Sequence, residues 1–224
     1  YSTGYHLHGT IEALAQRFVE ALRTIIIDCG ERHTNDFVDL VPGEIEDLYP
    51  LSPLQQGILF HSLYNPGSAI YTGQLSFALQ GDLDVEAFTR AWRRVVERHA
   101  ILRSSFIWEN PEEPLQAVNR TVEVLVERHD WRELPEAPHE RRLDGLLEEE
   151  RRRGFDLAVA PLMRLKLVRL SDESYRFIWT HHHLLLDGWS IARLLREVFA
   201  DYEALSQGRD SRPPHCREYR DYIA

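Results

Sequence analysis

The 224 residues are 43% hydrophobic and 28% charged, an ordinary globular balance with length enough for one large domain or two small ones. A formal charge of −10, from 36 acids against 26 bases, argues against nucleic acid or an anionic membrane surface as a partner. Cys29 and Cys216 stand in no disulfide-framework, redox or zinc-ligand spacing, no run of about 18 apolar residues could span a bilayer, and the start YSTGYHLHGT lacks the layout of a secretory signal; the expectation is a soluble, cytoplasmic protein. The first residue is Tyr and the sole methionine is Met163, so the sequence reads as a piece of something longer.

From Thr10 to Cys29, apolar Ile11, Leu14, Phe18, Leu22 and Ile25 recur at three- and four-residue steps behind a Thr10 cap, which predicts an amphipathic helix. The following GERHTNDFVDLVPGEIEDLYPLSP has scattered Gly, Pro, Asn and Asp and no sustained period; residues 30–46 read as a linker, with a new domain opening over 47–224. Behind Ser52, Pro53 to Tyr64 can form a helix, Thr72 to Leu79 alternates like a strand, and Asp84 to Ala100 returns to helical spacing through Phe88, Trp92 and Val95. Strands are expected around SSFIW, LQAVN and TVEVLVERH. HERRLDGLLEEERRRGF then reads as a charged helix whose EEERRR run is a solvated face with local ion pairs. MRLKLVRL and YRFIWTHHH are strands, and Ser190 to Leu205 is a long helix with apolar Ile191, Leu194, Leu195 and Val198. This order predicts an α/β fold, a mixed-sheet α/β sandwich.

The stretch THHHLLLDGWS, Thr180 to Ser190, holds three histidines in a row. In an extended chain His181 and His183 share one face while His182 takes the other, which excludes a single-face metal triad. A two-histidine metal site would need a further ligand, and the spacing supplies none. Asp187 and Gly188 follow at a short fixed distance, where the strand must turn into the Ser190 helix; a strand-end histidine with a carboxylate in the next loop is a way to position a general base. Asp187 could orient the imidazole or hold the loop by pairing with a buried arginine, and the residues leave both open.

HHLLLDG, His182 to Gly188, resembles the HHxxxDG motif of the condensation domains of nonribosomal peptide synthetases, shared with chloramphenicol acetyltransferase-like acyltransferases. LSPLQQGILFHSLY (Leu51 to Tyr64) is similar to that family's opening motif, RHAILRSSF (Arg98 to Phe106) to its second, and GFDLAVAPLMRLKLVRL (Gly154 to Leu170) to its FDL…PL segment, all in the family's order from about Asp47 to Ala224. Ala100 stands where the family more often has an acid, and Ser104 where it more often has Thr. The resemblance implies one chloramphenicol-acetyltransferase-like lobe, the N-terminal lobe of a two-lobed domain. His183 would be the catalytic residue, with His182 as motif and structural support. Asp187 would be structural and paired with Arg103, and Gly188 would let a pantetheine arm pass close to the backbone.

The activity implied is amide-bond formation between a donor peptidyl thioester and an acceptor aminoacyl thioester. Both are carried on the phosphopantetheine of donor and acceptor peptidyl carrier domains, with no cofactor or metal bound directly. The details of SPLQQGILFHSLY and HHLLLDGWS look more like domains that take a D-configured donor, and Tyr1 to about Cys29 resembles the C-terminal helix of a preceding epimerization domain. An adenylation domain would be a further neighbour, in an assembly line for secondary metabolites such as antibiotics. The rivals are a stand-alone coenzyme A-dependent acyltransferase of the same superfamily, an epimerization domain, and a lobe that only docks carriers and is inactive alone.

Overall fold

The computed structural model describes residues 44–65, 67–108, 114–135 and 139–209. The helix expected over 10–29 and most of the 30–46 linker lie outside the described residues. The elements run β1 (Ile45–Pro50), α1 (Pro53–Tyr64), β2 (Thr72–Gln80), α2 (Val85–Arg98), β3 (Ser104–Ile107), β4 (Leu115–Asn119), β5 (Val126–Asp130), α3 (His139–Arg153), β6 (Met163–Ser171), β7 (Ser174–His182) and α4 (Gly188–Ser206). They build a three-stranded sheet, β1-β4-β3, and a four-stranded sheet, β2-β7-β6-β5. All described pairs are antiparallel except β5 with β6, so the fold is the mixed-sheet α/β sandwich that the element order predicted.

Local chemistry sets the helix starts. Ser52 closes a capping box on α1: its hydroxyl accepts the Gln55 N–H at 3.3 Å, and Gln55 Oε1 accepts the Ser52 N–H at 3.0 Å. Pro53 at the first helical position has no N–H to lose. Asp84 caps α2 by accepting the Ala87 N–H at 2.9 Å. The sheet is built around β7, whose Phe177 and Trp179 lie opposite Phe77 and Leu75 of β2 and Leu167 and Leu165 of β6. On this face α2 supplies Phe88 and Trp92: Phe88 meets Phe177 edge-on at 5.1 Å, and Trp92 lies 5.6 Å from Phe177 and 5.0 Å from Trp179. These aromatic pairs add to the stabilisation from area burial, and α4 closes the same side through Phe199 on Phe77.

The opposite face of β7 and β6 mixes charged and polar residues with buried Ile178 and Val168 and meets α3, to whose Leu147 carbonyl Gln74 Nε2 of β2 donates. Here the reading of EEERRR as a solvated face needs correction at one residue. Glu148, Arg151, Arg152 and Arg153 are exposed and paired along the helix, but Glu150 is 2% exposed. Its carboxylate takes Arg164 Nε at 2.6 Å and Lys166 Nζ at 3.3 Å from β6. A charge buried this deeply is tolerated because it is paired.

Two strands differ from expectation. The strand read in TVEVLVERH is confined to Val126–Asp130, while Ile45 and Glu46, read as the end of the linker, already belong to β1. β1 is an edge strand with Pro50 at its end, a place where the missing N–H is tolerated.

Candidate active site

The three histidines diverge at the end of β7. His181 is fully buried, with its ring 4.9 Å from Trp179 and 5.5 Å from His183. His182 turns the other way, with its ring 6.2 Å from Phe155 and 6.4 Å from Tyr71. His183 lies one residue beyond the strand, yet its N–H still donates to the Tyr71 carbonyl at 2.9 Å. The alternation expected of an extended strand is therefore kept through His183.

Hydrogen bonds give His182 and His183 opposite tautomers. A carbonyl can only accept, so the 3.2 Å contact of His183 Nδ1 with the Leu186 carbonyl places the proton on Nδ1 and leaves Nε2 with its lone pair. For His182 the relation is reversed. The Leu184 N–H donates to its Nδ1 at 3.2 Å, so Nε2 carries the proton and faces Ser62 Oγ at 3.5 Å, while the Ser62 hydroxyl donates to the Ile58 carbonyl at 2.8 Å. Burial, reinforced by the coupling to the neighbouring histidines, pushes His181 and His182 down to about 4, so both rings are neutral at pH 7.

His183 opens into a cavity of about 710 Å³ between the start of α1, the end of α2 and the start of α4, lined among others by Ser52, Ile58, His99, Leu185 and Leu194. His182 borders a different cavity, of about 280 Å³, with Ser62, Trp108 and Phe155. Leu54, 72% exposed, lines the mouth of the larger cavity. Trp189, 89% exposed, stands at the first turn of α4. Of the lining residues, His99 meets Glu197 through Nε2 at 2.7 Å, and Arg98 bridges Glu197 and Asp201 at 2.9 and 2.7 Å. Among the described residues no three His, Cys, Asp or Glu side chains converge as a ligand set for a metal ion.

The structure does not bring Asp187 and Arg103 together. Asp187 is exposed and caps α4: its Oδ1 accepts the Ser190 N–H at 2.8 Å, and this bond, with one from the Ser190 hydroxyl, holds its carboxyl below the usual aspartate range. Arg103 is buried just before β3, where Nη1 pairs with Glu46 of β1 at 2.6 Å and donates to the carbonyls of Asn119 and Arg120. Among the described residues no hydrogen bond or ion pair joins the two. Each found a nearer partner: a helix N-terminus for Asp187, a strand edge for Arg103. Gly188, the first residue of α4, has no positive φ, and a Cβ built there would meet nothing within 4 Å. Nothing among the described residues demands glycine at that position.

Sequence reasoning missed the residues that hold the histidine loop. Gln55 of α1 donates through Nε2 to Gln116 Oε1 at 2.8 Å and to the Leu184 carbonyl at 3.2 Å. Gln116 in turn donates to Tyr49 Oη at 2.7 Å and Ser104 Oγ at 2.8 Å. This buried chain ties the three-stranded sheet to the loop after His183. The only sequence signal was Gln55 three residues after Ser52, which marks a cap and not a long-range tether.

A strand-end histidine with a free Nε2 at the wall of an open cavity, on a mixed α/β sandwich, is an arrangement suited to acyl or proton transfer. Residues 45–224 match the Condensation domain family, and the chain belongs to it. Over its whole length it is 42% and 44% identical to parts of two different linear gramicidin synthase proteins from Brevibacillus parabrevis, and 33% identical to part of bacitracin synthase 3 from Bacillus licheniformis. It spans only 5%, 5% and 4% of those relatives. Its fold is similar to the starter condensation domain of the rhizomide synthetase RzmA (TM-score 0.71, 19% identity, 79% of this chain and 42% of that one). It is also similar to the first condensation domain of the CDA synthetase (TM-score 0.68, 21% identity, 75% of this chain and 42% of that one).

Proposed function

We propose that this chain is the histidine-bearing lobe of a synthetase domain that joins a donor peptidyl thioester to an acceptor aminoacyl thioester, each held on a carrier domain. The observation that carries the reading is the contact of His183 Nδ1 with the Leu186 carbonyl, which leaves Nε2 of the neutral ring unprotonated on a residue that lines the 710 Å³ cavity. The acceptor amine attacks the donor carbonyl, the new C–N bond forms as the C–S bond breaks, and Nε2 takes the amine proton and returns it to the departing thiolate. No electron changes hands, so neither metal nor redox cofactor is needed for balance. The thioester is already activated and both substrates are tethered, so positioning supplies much of the rate. His182 is a support, since its Nε2 already faces Ser62 and its Nδ1 the Leu184 N–H. The open backbone at Gly188 fits a pantetheine arm passing close by. The finer reading is that the donor is D-configured, delivered by an epimerization domain whose C-terminal helix is Tyr1 to Cys29, with 30–46 as linker and an adenylation domain as a further neighbour.

The test is product formation in the full-length synthetase with donor and acceptor carriers loaded, read by mass spectrometry with each donor epimer. His183→Ala should cost about 10²–10⁴-fold in rate at unchanged melting temperature, and the D-donor should outrun the L-donor. Undiminished turnover by His183→Ala would refute the role of His183, and preference for the L-donor would refute the stereochemical reading alone.

A further inference from the structure

His181 has no place in the chemistry above, and it is placed at a cost. It is fully buried, and neither ring nitrogen has a hydrogen-bond partner among the described residues, an arrangement proteins seldom keep. Its location is equally constrained. In the β2–β7 register Gly73 lies opposite His181, and a Cβ at 73 would sit 2.5 Å from its Nε2 and 2.6 Å from its Cε1. The ring thus lies against the bare backbone of β2, beside the indole of Trp179 at 4.9 Å, and meets His183 edge-to-face at 5.5 Å and 79°. Among the described residues the His183 ring makes one hydrogen bond, from Nδ1 to the Leu186 carbonyl. One hydrogen bond fixes a tautomer but leaves a ring free to pivot about it, and a wall of fixed atoms removes that freedom.

We propose that His181, seated in the gap left by Gly73, is a positioning residue that sets the rotation of the His183 ring and so keeps Nδ1 on the Leu186 carbonyl and Nε2 aimed into the cavity. This rests on the reading of His183 as the proton acceptor. A ring is what the seat requires; an imidazole is not. Burial also keeps the His181 ring neutral near pH 7, pushed down to about 4.

Three variants separate the possibilities: His181→Ala removes the wall, Gly73→Ala displaces it, and His181→Phe keeps a ring while removing the unpartnered nitrogens. Kinetics are measured in the full-length synthetase with loaded carriers, and the His183 tautomer is read from imidazole ¹⁵N shifts in the ¹⁵N-histidine-labelled chain, with melting temperatures throughout. The expected result is a fall in kcat of about 10–100-fold for His181→Ala and Gly73→Ala with acceptor KM within about threefold, the scale of a misplacement near 1 Å. A mixture of His183 tautomers should accompany it. His181→Phe should melt higher than the unsubstituted protein and restore both kcat and the Nδ1–H tautomer. Unchanged kcat and tautomer in His181→Ala would overturn the inference. So would a kcat loss with the tautomer intact, or a His181→Phe variant as impaired as His181→Ala. If the unsubstituted synthetase forms no amide while His181→Ala still mixes the tautomers, the positioning role stands and the condensation reading falls.

Discussion

Removing the Asp187 carboxylate distinguishes a helix cap from a buried ion pair, because the two differ in magnitude and in coupling. As the cap of α4, an exposed Asp187 accepting the Ser190 N–H at 2.8 Å should lose about 0.5–2 kcal/mol on substitution by Ala. A buried pair with Arg103 would lose about 3–5 kcal/mol. Asp187→Asn keeps an equivalent acceptor and should cost under about 1 kcal/mol, the part owed to its charge at the helix N-terminus. Arg103→Ala removes the partner of Glu46 and of two carbonyls and should cost about 1–3 kcal/mol. The assay is urea denaturation of the two single variants and the double, with additivity expected to within about 0.5 kcal/mol. The sign with pH follows from the depressed carboxyl: the cap contributes fully above the unfolded aspartate value and is lost as pH falls through the lower folded one. A coupling above about 2 kcal/mol between Asp187 and Arg103, well outside that additivity limit, would refute the capping account.

Glu150→Ala should destabilise by about 3 kcal/mol, the low end for a broken buried pair, since Lys166 keeps Glu127 and Arg164 keeps the carbonyls of Gly154 and residue 150. The melting temperature should fall by about 6–12 °C, and an unchanged one would show the pair to be dispensable. Between about pH 6.5 and 4 the unfolded chain takes up protons that neutral His181 and His182 refuse, so stability should drop on acidification, by roughly 2 kcal/mol for each by pH 5; His181→Phe should flatten that slope in denaturant titrations at pH 5 and 7.5. Gly188→Ala should leave the denaturation midpoint unchanged or slightly raised, given the free space around it, while raising KM several-fold for carrier-bound but not for short soluble thioesters. Equal KM values for both would remove Gly188 from the substrate path.

What could be read in the sequence was what repeats or what caps. The period through Phe88, Trp92 and Val95, the strand in YRFIWTHHH and the Ser52 cap each rest on neighbours a few residues away, and all appear as expected. β1 was hidden because its pairing partner, β4, lies far along the chain and its own residues include Pro50 and the acids Glu46 and Asp47. Glu150 could not be told from Glu148 without knowing that Arg164 and Lys166 of β6 lie beneath it. Likewise the side of the chain on which His183 sits was legible, but its tautomer depends on a carbonyl three residues ahead whose direction only the loop geometry reveals.

That loop, Leu184 to Leu186, has a consequence for how the domain tolerates change. Its three side chains are buried, at 2%, 5% and 5% exposure, and its backbone distributes protons between two chemically identical neighbours: the Leu184 N–H to one, the Leu186 carbonyl to the other. Trimming one of these leucines would therefore disturb the seating of both imidazoles as well as soften the core. Hydrocarbon packing and the orientation of two imidazoles therefore rest on the same three residues, so a change that suits one is felt by the other.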